Sequence, residues 1–115
     1  MTKSNNHVLI TGASSGIGRA CAEFLASHGF KVYAAARKDK DIKELNKIEN
    51  ITSLEIDVTK QKTIDNAIEY IRNQNTGLYA IINNAGIARA GPLMELSTDD
   101  LYGQFNVNLF GIHRI

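Results

Sequence analysis

The strongest chemical signal in the chain is a glycine-rich stretch, Thr11-Gly12-Ala13-Ser14-Ser15-Gly16-Ile17-Gly18. It lies between a short apolar run, His7 to Thr11, and a segment of helical period that begins at Ile17. A helix start offers backbone N–H groups without intrahelical partners and a partial positive charge, so it suits a phosphate. Glycines at Gly12, Gly16 and Gly18 permit a tight turn, remove side chains from the approach and let helix and strand pack closely. Ser14 and Ser15 can add hydroxyl donors to a pyrophosphate. The spacing excludes a P-loop, which needs G-x-x-x-x-G-K-[ST]. Counted from Gly12, its second glycine would fall on Ile17, and no lysine stands after it. G-x-G-x-x-G also fails, because position 14 is Ser14; the glycines stand as G-x-x-x-G-x-G. The bland reading is a strand-to-helix turn with no ligand.

A dinucleotide needs a second contact point at its adenosine end. In such folds an acid about 20 residues on, at the end of the second strand, takes the ribose 2′-hydroxyl of NAD, whereas an arginine there accommodates the 2′-phosphate of NADP. Here the second strand ends Ala34-Ala35-Ala36 and runs into Arg37-Lys38. Ala36 stands where the carboxylate is expected, and a guanidinium suits a phosphate through charge-assisted bonds. The expectation is therefore NADP(H) in preference to NAD(H), held at Arg37 and Lys38. The alternative is an ordinary solvated loop. On the same rim, Asp57-Val58 closes the third strand, and its acid suits a helix cap equally well.

One polar residue stands out further on. Leu101, Phe105, Asn108, Ile112 and Ile115 form a single helical stripe, with Asn108 its only polar member. A buried amide is unfavourable by about 1–3 kcal/mol unless bonded, so Asn108 is expected to have partners or a bound water. A structural asparagine that kinks the helix is the alternative, and the two can coexist.

These residues need elements to position them. Strand-like His7 to Thr11 leads to a helix with Ile17, Ala20, Cys21, Phe24 and Leu25 on one face, closed by His28-Gly29. Lys31 to Ala36 reads as a second strand, and Asp39 to Ile48 as a charged helix with Ile42, Leu45 and Ile48 inward. Thr52 to Val58 is a third strand. Thr59 is placed to cap the next helix, with Ile64, Ala67, Ile68 and Ile71 inward and Gly77 as its break. Leu78 to Ile82 is a fourth strand, apolar enough to be buried on both faces. Ser97-Thr98-Asp99-Asp100 opens a last helix that runs to Ile115. The alternation predicts an α/β fold: a Rossmann-type doubly wound parallel sheet, N-terminal portion, four strands in the order 3-2-1-4, in a single dinucleotide-binding domain over residues 1–115.

Bulk properties narrow the field. A 115-residue chain with 43% apolar residues can bury a core, and a net charge of +1 gives no field pointing to nucleic acid or an acidic membrane. Cys21 is the single cysteine, which fits a reducing compartment. It lies on the apolar face of the first helix, which suits packing better than nucleophilic chemistry. His7, His28 and His113 lack ligand spacing, so no metal is expected. The polar opening Met1 to His7 lacks the apolar core of a signal segment, and no run approaches the ~18 apolar residues of a membrane span. A cytoplasmic location is the expectation.

Taken together, Thr11 to Gly18, Asp57-Val58-Thr59, Asn83-Asn84-Ala85-Gly86 and Asn106-Val107-Asn108-Leu109-Phe110-Gly111 resemble the short-chain dehydrogenase/reductase family. Each mark is weak alone; four in order at the right element ends are strong. The resemblance implies an oxidoreductase that moves a hydride between a nicotinamide and a carbonyl or secondary alcohol. It places Asp57 and Val58 near adenine and Asn84, Ala85 and Gly86 against the adenine-side ribose, with Asn84 also bracing the sheet. It gives Asn108 the family's catalytic asparagine role, holding a water in a proton relay. Residues Gly91 to Ser97 look closest to hydroxysteroid-dehydrogenase-like members. The family's tyrosine and lysine occur as Tyr-x-x-x-Lys. Four residues after Tyr33, Tyr70, Tyr79 and Tyr102 stand Arg37, Gln74, Asn83 and Asn106, so the pair is not among these residues.

The expectation is thus the front part of a longer enzyme, whose serine, tyrosine and lysine would lie downstream of Ile115, with no turnover by these 115 residues alone. The resemblance further implies a homo-oligomer with the last helix in its interface. Two other readings stand beside it: a non-catalytic dinucleotide-binding module, and a methyltransferase-type nucleotide fold. An acid ending the second strand would favour the latter, and Ala36-Arg37 supplies none.

Overall fold

The computed structural model describes residues 6–87 and 91–115, so the reading of Met1 to Asn5 lies outside it. Strands and helices alternate as β1 (His7–Ile10), α1 (Gly16–Ser27), β2 (Lys31–Ala36), α2 (Asp39–Leu45), β3 (Ile51–Glu55), α3 (Gln61–Asn73) and β4 (Ala80–Ile82). A 3₁₀ turn at Leu93–Glu95 precedes α4 (Thr98–Phe105), a π-helical turn (Asn106–Phe110) and α5 (Gly111–Arg114). All pairings are parallel, and the strand order is β3-β2-β1-β4, as expected.

The period-2 alternation of the strands builds two separate cores. Val8 and Ile10 of β1 join Val32, Ala34 and Ala36 of β2 on the face covered by α1 and α2, with Ala22, Ala26 and Leu45 packed against them. Leu9, Tyr33 and Ala35 face the other way, onto Ile64, Ala67 and Ile71 of α3, with Val107 and Ile115 from the C-terminal helical segment at the margin. The alanine run of β2 lets helices approach the centre of the sheet from both sides.

Several local expectations are corrected. The buried face of α1 is Gly18, Ala22 and Ala26, and Ile17 (77% exposed) and Phe24 (62%) point outward. Large residues mimicked the period, but only small ones fit where the helix crosses close to the strands. Cys21 and Leu25 are half-buried against the same core. Strand β4, at the sheet edge as the strand order requires, is not buried on both faces: Ile81 is exposed. Thr59 does not cap α3; the helix opens two residues later behind Lys60, without a side-chain cap. Of the stripe expected for the last helix, only Ile115 packs against the body. Leu101, Phe105 and Ile112 are exposed, and the residues that meet the body are Val107, Gly111 and Ile115.

Candidate functional site

The glycine turn is held from beneath by one buried hydroxyl. Thr11, only 2% exposed, accepts the backbone amides of Asn84 and Ala85, each at 3.0 Å, while its own amide donates to Ile82 O at 3.1 Å. The Asn84 side chain returns the contact, Nδ2 donating to Gly12 O at 3.0 Å. The loop after β1 and the loop after β4 are therefore one unit. Close approach explains the glycines. Gly12 has φ of +64°, and a Cβ there would stand 2.8 Å from Ala85 Cα; a Cβ on Gly18 would stand 2.3 Å from Gly12 O. The sequence marked the glycines and Asn84, but not the part played by Thr11. A threonine closing an apolar strand just before a glycine turn is the signal that pointed to it.

The start of α1 is bare. Ser15 precedes it in extended conformation with no side-chain cap, and no acid lies in its first turn. The amides of Gly16, Ile17 and Gly18 find no partner among the described residues. By contrast, Ser97 and Asp100 close the start of α4 with a full capping box. A Cβ on Gly16 would meet nothing within 4 Å, so the turn is open on that side. An anion can complete them.

Arg37 and Asp57 stand on the rim beyond the ends of β2 and β3. Arg37 is exposed, and Lys38, the residue ahead of α2, is exposed too. Asp57 Oδ1 accepts both the amide of Thr59, at 2.9 Å, and its hydroxyl, at 2.6 Å. Partial burial, the largest single influence, raises the Asp57 pKa. The two Thr59 bonds, then the charges of Arg37 and Lys60, outweigh it and hold the carboxyl below the ordinary aspartate range. A depressed carboxylate stabilises the fold above its unfolded-state pKa, and that contribution is lost as pH falls through the folded value. The stability gap between wild type and Asp57→Asn should therefore shrink on acidification below about pH 4. Thermal unfolding of both forms across that range checks it; a gap that widens contradicts the assignment.

Asn108 is not the buried amide expected; it is exposed. Both its side-chain groups are nevertheless used. Its Oδ1 accepts from Ile87 N at 2.8 Å and its Nδ2 donates to Ile87 O at 2.7 Å. It lies in the π turn, a break in the regular α-helical register. Arg114, which sequence reasoning passed over, donates to Val58 O at 2.8 Å, Asn106 O at 3.1 Å and Asn106 Oδ1 at 2.6 Å. No sequence signal marked it, since its acceptors are mostly backbone oxygens.

These loops surround one cleft of about 290 Å³ at the carboxyl end of the sheet, between the outgoing loops of β1 and β4. Gly12, Ser14, Ser15, Arg37, Asp57, Val58, Asn84, Ala85 and Gly86 line it, together with Ala36, Ile56, Thr59, Ile87 and Val107. Gly16, Ile17, Gly18, Lys38 and Asn108 are not in its wall. The first three open α1 beside it, and Asn108 reaches it through Ile87. The crevice where strand order reverses is the general ligand position of open α/β sheets.

A model of the short chain dehydrogenase family matches residues 6–115. The chain belongs to that family. YbbO of Escherichia coli (strain K12), named an uncharacterized oxidoreductase, is 40% identical to this short-chain dehydrogenase chain over 109 residues, 94% of it and 40% of YbbO. An NADPH-dependent 3-dehydrocapnine reductase from Ornithobacterium rhinotracheale is 34% identical over 108 residues, 90% of the chain and 38% of the reductase. The crystal structure of a short chain dehydrogenase from Bacillus anthracis str. 'Ames Ancestor' superposes with a TM-score of 0.89 at 28% identity, covering 98% of this chain and 49% of that one. The sheet and its helices are thus the Rossmann-type fold of the family. The chain spans about 40% of the length of the curated relatives it matches. Among the described residues there is no cluster suited to a metal ion and no helix long and apolar enough to cross a membrane.

Proposed function

We propose that this chain is the dinucleotide-binding part of an NADP(H)-dependent oxidoreductase acting between a carbonyl and a secondary alcohol. The observation that carries the reading is the meeting, at one cleft, of an uncapped helix start and a rim bearing Arg37. The residues fit the cofactor in order along that cleft. The amides of Gly16, Ile17 and Gly18, with the hydroxyls of Ser14 and Ser15, would hold the pyrophosphate. Arg37, backed by Lys38, would hold a 2′-phosphate, and Asp57 and Val58 would border the adenine. Asn84, Ala85 and Gly86 would border the ribose. When bound, the nicotinamide supplies or accepts the hydride. Asn108 fixes the loop after β4 by its two hydrogen bonds to Ile87, and so would hold the floor on which the ring end rests.

The name of the NADPH-dependent relative supports the choice of phosphate-bearing dinucleotide. The substrate is a small molecule in this reading. The exposed Tyr102, Phe105, Leu109 and Phe110 of the C-terminal helical segment suit a second copy of the chain, and the location is cytoplasmic. The test is a fluorescence titration of the full-length protein with NADPH and NADH, and then NADPH consumption with a panel of ketones. NADPH should bind at least tenfold tighter, the worth of about one charge-assisted hydrogen bond. Binding with no turnover on any ketone leaves a dinucleotide-binding module. Failure to bind either dinucleotide removes the reading altogether.

A further inference from the structure

The C-terminal helical segment touches the cleft wall in two places, and one cation joins them. A Cβ added to Gly111 would stand 2.7 Å from Val58 Cγ2, so the helix backbone lies directly on Val58. That proximity brings Arg114, one turn further on, within reach of Val58 O. The same guanidinium extends back across the π turn to Asn106, eight residues earlier, and takes both its carbonyl and its side-chain oxygen. A π turn widens the helix and disturbs the regular hydrogen-bond ladder, and such turns are rare and found mostly at functional sites. All three Arg114 acceptors are neutral oxygens, and no carboxylate lies within ion-pair distance of it among the described residues. A planar fork of donors can serve several carbonyls at once, whereas an ammonium acts as a single point.

We propose that Arg114 is a positioning residue: by fastening Asn106 to Val58 it fixes the π turn that sets Asn108 against Ile87. The chain of contacts is short. Arg114 holds Asn106 at the start of the turn; Asn108, two residues on, pairs with both backbone groups of Ile87; Ile87 and Val58 line the cleft from opposite loops. Cofactor wall and Asn108 therefore share one anchor. Without it, the turn can relax to a regular helix, which rotates Asn108 by one residue's step and leaves the Ile87 N–H and C=O without it.

The experiment compares wild type, Arg114→Met, Arg114→Lys and Asn108→Ala in the full-length protein. In Arg114→Met the backbone amide NMR signal of Ile87 should move and its hydrogen exchange should quicken about tenfold or more, as for a bond lost to local opening. Arg114→Lys, which keeps the charge and one carbonyl contact, should recover part of that protection. Should Arg114→Met fail to fold, the lysine variant carries the test by a partial shift of the same signal. The turnover arm rests on the oxidoreductase reading. There Arg114→Met should lower kcat about tenfold and, combined with Asn108→Ala, lower it no further than Asn108→Ala does alone. An Ile87 signal unmoved in folded Arg114→Met and Arg114→Lys, or losses that multiply in the double variant, overturns the proposal. A wild-type protein without turnover defeats the oxidoreductase reading, while the Ile87 signal still decides the part of Arg114.

Discussion

Gly18→Ala should destabilise the full-length protein by about 1–3 kcal/mol and weaken dinucleotide binding at least tenfold. The new Cβ would stand 2.3 Å from Gly12 O and 2.4 Å from Asn84 Nδ2. Neither neighbour is the loose end of a flexible side chain. Gly12 O is backbone in a turn whose own φ is positive, and Asn84 Nδ2 is already committed to that same oxygen. Relief requires the start of α1 to retreat from the turn, or the Gly12–Asn84 bond to open. Either movement displaces the amides of residues 16 to 18 relative to the loop after β4. Loss of the bond adds roughly another 1 kcal/mol. Gly16→Ala is the useful contrast. Its Cβ meets no protein atom, and the penalty is backbone alone, about 1–2 kcal/mol for a left-handed conformation. If the open space before α1 is where a pyrophosphate sits, that variant should lose affinity out of proportion to its loss of stability. Unfolding midpoints and dissociation constants measured together distinguish the two. A Gly18→Ala protein with wild-type midpoint and affinity would mean that the turn does not work as described.

The same contrast explains what the sequence could and could not reveal. The order of the elements and the strand order were legible because period and punctuation are local: apolar runs closed by Gly12, Gly29 and Gly77 mark their own ends. The turn was legible because three glycines at that spacing have few other uses. The inward face of α1 was not. A hydrophobic pattern records where large residues stand, and here Ile17 and Phe24 stand outside while Gly18, Ala22 and Ala26 make the contact. Close packing selects for small side chains, which carry little hydropathy. The environment of Asn108 was misjudged for a related reason. A stripe counted at 3.6 residues per turn assumes an unbroken α-helix, and the π turn at Asn106–Phe110 shifts the register in its midst. The asparagine does use both side-chain groups, but its partner, the backbone of Ile87, lies 21 residues away and has no side-chain signature. Thr11 and Arg114 escaped notice likewise, since each bonds chiefly to backbone groups that every sequence contains.

Arg37 decides the choice between dinucleotides in the proposed reading, and its replacement should remove most of that preference. Arg37→Ala should raise the dissociation constant for NADPH about tenfold or more and leave that for NADH within about threefold. The physical difference is a single group: a 2′-phosphate bears charge and acceptor oxygens that a 2′-hydroxyl lacks. Hydrogen bonds to charged groups are worth roughly 1.5–3 kcal/mol, but Arg37 is exposed and water screens it, so the lower end applies. Screening gives an independent check, because the wild-type preference should fall as salt is raised toward about 1 M, where the Debye length is near 3 Å. Lys38 is the internal comparison. It is also cationic and exposed, but it stands behind the rim at the start of α2 and outside the cleft wall, so Lys38→Ala should change NADPH affinity by about threefold or less. Asp57 bears on the outcome too. Its depressed pKa keeps it ionised beside Arg37, and that negative charge opposes a second anion nearby. Asp57→Asn should accordingly tighten NADPH slightly. An Arg37→Ala protein that loses both dinucleotides equally would show the guanidinium gripping something they share, such as the adenine face, and the preference would then have to arise elsewhere on the rim.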